Sequence, residues 1–177
     1  MKTTDILSKI DKAVADLIKN EKRILARKLS ERILSNHLAD YLRPLFSGFN
    51  VDPEYNGDID KPNDRKALEI AADRMKAIGY KPNAKNVYKL SPDIIIHKQE
   101  TNEKNLVVIE VKKDVSPDKD KAYDLIKLEH LTIDYLGNHY NYKLGIAITF
   151  GTGKNSGSFT EVYFQKGIKI EDRNLLE

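Results

Sequence analysis

The chain has no cysteine among its 177 residues. Disulfide bonds and thiolate chemistry are therefore excluded. The four histidines show no spacing typical of zinc ligands, and no cysteine is present to complete such a site. A chain without cysteine fits a reducing compartment, and we expect a cytoplasmic location.

Long apolar runs are also lacking. The longest runs, such as Leu106–Ile109 and Ile94–Ile96, are far shorter than the roughly 20 apolar residues that a membrane-spanning helix needs. The opening residues, 1–5, show no apolar segment of the kind that a secretory signal contains. We expect no membrane partner.

The chain has little excess of charge of either sign. The chain has 30 Lys and Arg residues against 27 Asp and Glu, a net charge of +3. This excess is too small to indicate nucleic-acid binding, so any attraction for a polyanion must come from how the charges are distributed. Hydrophobic residues make up 40% of the chain, a globular balance, and the length predicts one domain over residues 1–177.

Apolar residues recur at helical spacing near the N-terminus. The spacing predicts an accessory helix within residues 1–20 and a second helix from Lys22 to Leu42. Pro44 ends the second helix, because the residue before a proline is pushed out of the helical region. The apolar positions of the first helix are Ile6, Ile10, Val14, Leu17 and Ile18.

The rest of the chain alternates between strand and helix patterns. Residues 57–90 are predicted to be an insert. The predicted elements are a strand at Phe49–Tyr55, a helix at Ala67–Ile78 ending at Gly79, strands at Pro92–His97 and Asn105–Lys112, a helix from Ser116-Pro117-Asp118 to about Tyr135, and strands at Lys143–Phe150 and Phe159–Gln165. The order αα-β-(α)-β-β-α-β-β predicts a mixed α/β (α+β) domain.

Two acidic residues are predicted to face each other across a hairpin. The polar connection Lys98–Lys104 is centred between Thr101 and Asn102, so opposed residues have numbers that sum to 203. Asp93 and Glu110 satisfy this sum, and directly opposed residues have Cβ atoms about 4.5–5.5 Å apart. A cation between the two carboxylates would relieve their repulsion. Hard oxygen ligands suit Mg²⁺ or Mn²⁺.

A lysine lies on the same face as this acidic pair. Side chains alternate along a strand, so Lys112 projects with Glu110 while Val111 points away. One face of the hairpin is therefore predicted to carry two carboxylates and an ammonium group. A one-residue slip of the register would undo this arrangement.

Asp93 after Pro92, with Glu110-Val111-Lys112 after an apolar strand, resembles the signature of the PD-(D/E)XK nuclease superfamily. That superfamily includes restriction endonucleases, repair nucleases and junction resolvases. The resemblance covers roughly residues 30–150. The longer strings that resemble a prokaryotic branch of it are Ser30-Glu31-Arg32, His37 to Leu42, Val51 to Asn56, Pro92 to His97 and Val108 to Lys113.

The resemblance implies a restriction-endonuclease-like core, with a central mixed β-sheet flanked by helices. It implies a metal-dependent nuclease, with DNA favoured over RNA as the substrate. Asp93 and Glu110 would bind Mg²⁺ or Mn²⁺ together with the backbone carbonyl of Val111, and Lys112 would orient or deprotonate the attacking water. Many similar nucleases dimerise, so a homodimer is one expectation.

For each of five further residues, the sequence leaves two interpretations open. Glu31 and Glu54 either join the metal ligands or form ordinary ion pairs and exposed edge positions. Lys113 and Lys127 either contact a phosphate of the nucleic acid or lie in solvent. His97 either lies near the acidic pair or is structural, since the two-residue steps of the strand carry it toward the hairpin tip.

Two other function classes stay open beside a catalytic nuclease. One is a catalytically silent nucleic-acid-binding or regulatory module that keeps the fold and its acidic site. The other is a small interaction subunit, because no separate target-recognition module is evident. Opposed carboxylates favour the nuclease, since a pure scaffold has no reason to retain them.

Overall fold

The computed structural model describes residues 1–27, 30–54, 67–69, 72–81, 87–89, 91–99, 101, 104–133 and 140–177. The helices are α1 (Thr3–Asn20), α2 (Lys22–Ala26), α3 (Glu31–Leu42), α4 (Ala72–Ala77) and α5 (Asp118–Thr132). The strands are β1 (Asn50–Pro53), β2 (Ala67–Glu69), β3 (Val87–Lys89), β4 (Ile94–His97), β5 (Asn105–Lys113), β6 (Leu144–Phe150), β7 (Phe159–Gln165) and β8 (Ile168–Ile170).

Six strands form one mixed sheet in the order β1-β4-β5-β6-β7-β8. The pair β5–β6 is parallel and every other neighbouring pair is antiparallel. Helix α5 is the crossover between β5 and β6, since parallel neighbours need a long connection. Strands β2 and β3 pair separately, as an antiparallel two-stranded sheet. The predicted mixed α/β class is confirmed.

The β4–β5 hairpin has the register that the sequence predicts. Ile94 pairs with Ile109, and the next two pairs also have residue numbers that sum to 203. The register shifts between Ile96 and His97, at the end away from the acidic residues. Continued in the other direction, the same register carries Asp93, one residue before β4, to a position opposite Glu110.

Helices cover both faces of the sheet. On one face α1 and α3 pack against alternate strand residues such as Ile96 and Val107. On the other face α5 packs against Ile95 and Val108. Because side chains alternate, Glu110 shares the α5 face with Val108. No helix in the described part of the chain is long and apolar enough to cross a bilayer.

The predicted continuous helix from Lys22 to Leu42 is wrong. Helix α2 ends at Ala26, and Ser30 has an extended backbone (φ −62°, ψ 152°) before α3 begins at Glu31. Serine favours this position before a helix, because its side chain competes with helical hydrogen bonding. The break makes Glu31 the first residue of α3.

Two other predictions differ from the observed elements. The predicted helix at Ala67–Ile78 is in fact β2 followed by the shorter α4, since residues 67–69 pair with β3. Strand β1 is shorter than Phe49–Tyr55, and Tyr55 lies outside the described residues, as does Tyr135 beyond the end of α5. The insert at 57–90 is described only in part, so it stays a prediction, as does the single domain over 1–177.

Candidate functional site

Asp93 lies at the open end of the hairpin, one residue before β4 and beside Val111 of β5. Its Oδ2 accepts a hydrogen bond from the Val111 N–H at 2.7 Å, and its carbonyl accepts one from the Glu54 N–H at 3.0 Å. Burial raises the pKa of the Asp93 carboxyl, opposed by the Val111 N–H and by Lys127. The side chain is thus tied to β5 by the backbone beside Glu110.

Glu110 is almost fully enclosed, with 1% of the residue exposed. Its Oε1 lies 2.8 Å from Lys127 Nζ, while its Oε2 has no hydrogen-bond partner in the described part of the chain. Burial raises the pKa of Glu110 well above its usual value, opposed by Lys127, with nearby Asp124 and Asp93 adding to the effect of burial. A buried carboxylate oxygen without a hydrogen bond is costly.

Lys127 of α5 lies between two carboxylates. Its Nζ is 2.8 Å from Glu110 Oε1 and 2.9 Å from Asp124 Oδ1, and only 7% of the side chain is exposed. Burial lowers the pKa of Lys127, but Glu110 and Asp124 outweigh that effect and raise it overall. The side chain therefore stays an ammonium ion.

Lys112 lies near a different pair of carboxylates. Its Nζ is 2.7 Å from Asp124 Oδ2 and 3.3 Å from Glu31 Oε2. The same Nζ is 3.5 Å from the Val111 carbonyl oxygen, a long contact to the backbone group predicted as a metal ligand. Burial lowers the pKa of Lys112, and Asp124 more than reverses that shift. This lysine is also charged.

Asp124 is a member of the cluster that was not predicted from the sequence. Its side chain is 4% exposed and contacts both Lys112 and Lys127, so it joins the β5 and α5 parts of the site. A signal for it exists in the sequence. Asp124 lies four residues before Leu128 and seven before Leu131, on the buried face of α5, where a carboxylate needs a partner.

Glu31 joins the cluster from α3. Its Oε1 accepts a hydrogen bond from the Ser116 hydroxyl, and its Oε2 contacts Lys112. The cluster thus has four carboxylates (Asp93, Glu110, Asp124 and Glu31) and two lysine ammonium groups. With every group ionised, two negative charges are left without a counter-charge.

Three other candidate residues lie in different surroundings. Glu54 is exposed, and its carboxylate is 3.0 Å from Arg32 Nε, as in its exposed-edge interpretation. His97 is structural: its Nε2 lies 2.9 Å from Asp52 Oδ2 at the far end of β4. Lys113 follows Lys112 and so projects from the opposite face. The interpretation of Lys127 as a solvent-exposed lysine is wrong, because the residue is buried. Its contact with a phosphate stays a prediction.

The donor chemistry of the cluster fits a hard divalent cation, although its present spacing does not form a complete site. In the described residues, no three or more His, Asp and Glu side chains are arranged to hold a metal ion. One buried oxygen, Glu110 Oε2, nevertheless has no hydrogen-bond partner in that part of the chain. Carboxylate oxygens are the ligands that Mg²⁺ and Mn²⁺ prefer. The two lysines supply the positive charge that the carboxylates otherwise lack.

Comparison of the chain with protein-family models, with curated proteins and with solved structures gives no match. A proposal for its function therefore depends on the chemistry of the cluster and on the resemblance of its sequence motif.

Proposed function

We propose that this chain is a metal-dependent nuclease with a restriction-endonuclease-like core, hydrolysing phosphodiester bonds in DNA with Mg²⁺ or Mn²⁺. The observation that carries the proposal is the state of Glu110. This carboxylate is buried on a central strand, opposite Asp93, with Lys127 against its Oε1 and no hydrogen-bond partner for its Oε2 among the described residues.

The energetic cost of this arrangement supports a functional role. Stability alone favours apolar side chains at such a position, because replacing a buried ion pair by well-packed apolar residues is often neutral or stabilising. Clustered carboxylates with raised pKa values next to charged lysines are more typical of a site than of a scaffold.

Each residue has a role that follows from its position. Asp93 and Glu110 would hold the cation together with the Val111 carbonyl. When bound, the metal supplies Lewis acidity and lowers the pKa of its water. Lys112 brings a fixed positive charge to the place where a phosphate would develop negative charge. Asp124 and Glu31 keep its ammonium group there.

A cleavage screen tests the proposal. Single-stranded, duplex, flap and junction DNA, and the same forms of RNA, are incubated with the protein and with Mg²⁺, Mn²⁺ or EDTA. We expect metal-dependent cleavage of at least one DNA form. DNA is favoured because the motif resembles restriction endonucleases, repair nucleases and junction resolvases.

A second candidate function is a catalytically silent nucleic-acid-binding or regulatory module. The observation that favours it is that a lysine already neutralises the proposed metal ligand Glu110, since Lys127 Nζ lies 2.8 Å from its Oε1. Binding of a nucleic acid without cleavage, in every metal tested, would favour this module over the nuclease. The homodimer is tested separately, by light scattering, and stays a prediction.

A further inference from the structure

The ammonium group of Lys127 occupies the position that a cation would take between two acidic side chains. It lies 2.8 Å from Glu110 Oε1 and 2.9 Å from Asp124 Oδ1. Both carboxylates are more than nine-tenths buried, with 1% and 4% of their side chains exposed. Water therefore has little access to screen the three charges.

Lys127 leaves one oxygen of these carboxylates unsatisfied. Its Nζ contacts Glu110 Oε1 and Asp124 Oδ1, and Lys112 Nζ lies 2.7 Å from Asp124 Oδ2. Glu110 Oε2 has no hydrogen-bond partner among the described residues. This buried oxygen points to a ligand with more coordination positions than the two lysines fill.

We propose that Lys127 is a resident cation that competes with the divalent metal for Glu110 and Asp124, and that Asp124 is the third carboxylate of the metal site. This inference rests on the metal site of the proposed function. A divalent ion held by the same two side chains would lie beside the ammonium group. Two positive charges at close range in a poorly screened site repel each other strongly. Lys127 must therefore move when the metal binds.

The Tyr123 ring gives the displaced ammonium group a direction in which to move. Lys127 Nζ already lies 5.4 Å from the centre of this ring, one turn earlier on α5. An aromatic face attracts a cation at about this distance. A side-chain rotation that keeps the ring contact while moving Nζ away from Glu110 and Asp124 would leave both carboxylates to the metal.

Calorimetric titration with Mn²⁺ tests the competition. Removing the resident charge in Lys127→Met should tighten Mn²⁺ binding by about tenfold or more, and removing a ligand in Asp124→Asn should weaken it by a similar factor. Lys121→Met is the matched control, since Lys121 lies on the same helix and has a 3.7 Å ion pair with exposed Asp118. Equal or weaker Mn²⁺ binding by Lys127→Met would overturn the inference, and so would unchanged binding by Asp124→Asn.

A measurement on the unaltered protein covers the case in which Lys127→Met does not fold. Reductive methylation followed by peptide mass spectrometry reports how accessible each lysine is. Lys127 should be protected without metal and become reactive once Mn²⁺ is bound, while the reactivity of Lys121 stays constant. Continued protection of Lys127 at Mn²⁺ concentrations that saturate the calorimetric signal would overturn the inference.

The two proposals fail in different ways. Competition between Lys127 and Mn²⁺ without cleavage of any substrate would leave the inference standing and remove the nuclease. Metal-dependent cleavage with no effect of Lys127→Met on Mn²⁺ binding would keep the nuclease and remove the inference. If neither the unaltered protein nor Lys127→Met binds Mn²⁺, both the nuclease and the inference are removed.

Discussion

Glu110 and Asp93 carry most of the proposed chemistry at the scale of single residues. Glu110→Gln and Asp93→Asn keep the shape of each side chain and remove the charge that would hold a cation. We expect each to lower the metal-dependent cleavage rate by about 100-fold or more, in the range seen when electrostatic stabilisation of a transition state is lost. Initial rates at saturating metal measure the effect.

Glu171→Gln is the control for this pair. Glu171 is exposed and lies 2.7 Å from Lys169, far along the chain from the hairpin. Its cleavage rate should match that of the unaltered protein. A comparable loss of rate in Glu171→Gln would mean that net charge, and not the carboxylate pair, governs activity.

Asp114 gives the stability of the fold an acid dependence. Its carboxylate accepts hydrogen bonds from Asn155 Nδ2 at 2.8 Å, from the hydroxyl and N–H of Thr152 at 2.7 and 3.1 Å, and from the Val115 N–H at 3.0 Å. These bonds, the Asn155 one foremost, hold the pKa of Asp114 below its usual value. A lowered pKa stabilises the fold above the unfolded-state pKa, and this stabilisation is lost as the pH falls through the folded-state value.

Asp114→Asn should therefore destabilise the protein more at pH 7 than at pH 3. We expect the free energy of unfolding to fall by about 1–1.5 kcal/mol at pH 7, since several hydrogen bonds lose their charged acceptor but solvent screens this accessible carboxylate. Urea denaturation at the two pH values measures the difference. Asp16→Asn, which breaks only an exposed ion pair with Lys12, should change it by less than about 1 kcal/mol. An equal loss at both pH values would contradict the explanation.

Residue-scale prediction from the sequence succeeded where the contact is local. Asp93 and Glu110 are opposed because a short connection fixes the hairpin, and three apolar pairs hold its register. Asp124 was missed because its partners, Lys112 and Glu110, come from another element. Local spacing shows that such a carboxylate is buried but does not show which charge it meets.

Helix α5 is the element that completes the cluster, and Gly145 sets how closely it approaches the sheet. A Cβ atom at Gly145 would lie 3.0 Å from Thr132 Cγ2 and 3.4 Å from Leu128 Cβ, both on α5. We expect Gly145→Ala to lower the free energy of unfolding by about 1–3 kcal/mol, the usual cost of overpacking. Chemical denaturation measures this.

The same substitution should weaken Mn²⁺ binding, because a displaced α5 moves Asp124 and Lys127 relative to Glu110. Calorimetry on the folded variant tests this second effect. Unchanged stability of Gly145→Ala would show that α5 has more freedom than its contacts with β6 indicate.

Element boundaries were predictable only where the sequence has an explicit stop or start. The proline before Asp118 marks the start of α5, and Gly79, with a φ of 77°, follows the end of α4. The break between α2 and α3 was missed because the apolar spacing continues through it. Strands β2 and β3 are three residues each, too short to leave an alternating pattern.

At the scale of the whole molecule, Arg173 links distant parts of the chain. Its guanidinium is 2.6 Å from Asp11 of α1 and 3.6 Å from Glu161 of β7. Glu161 is partly buried, with 9% of its side chain exposed, and this burial raises its pKa. A raised carboxyl pKa means that stability is full at low pH and is lost as the pH rises through the folded-state value.

Arg173→Gln should enlarge the loss of stability at higher pH, because it removes a positive charge that lowers the pKa of Glu161 against the effect of burial. We expect the free energy of unfolding to fall by about 1–2 kcal/mol at pH 7, less than for a fully buried pair since Arg173 is partly exposed. The fall should be smaller at pH 4, where Glu161 is closer to protonation. Thermal denaturation at both pH values measures it. Lys169→Gln is the control, and a larger loss at pH 4 would contradict the assignment.

The overall topology was predictable as a class and not in detail. Alternating strand and helix patterns predict the mixed sheet, since β5, α5 and β6 follow each other as strand, helix and strand. The position of β1 beside β4, and of β8 at the other edge, depends on which edges remain open after the centre has formed. That choice is made by long-range contacts, which no local pattern contains.

The irregularity at His97 has a consequence for how this chain can vary. The register is held by the three apolar pairs between Ile94–Ile96 and Val107–Ile109, and it already shifts beyond them. Residues added after Thr101 would therefore be absorbed at the hairpin tip, while Asp93 and Glu110 stay opposed. The interval between these two residues is thus free to lengthen among related sequences, or to accept an engineered peptide, whereas the interval from Glu110 to Lys112 is not.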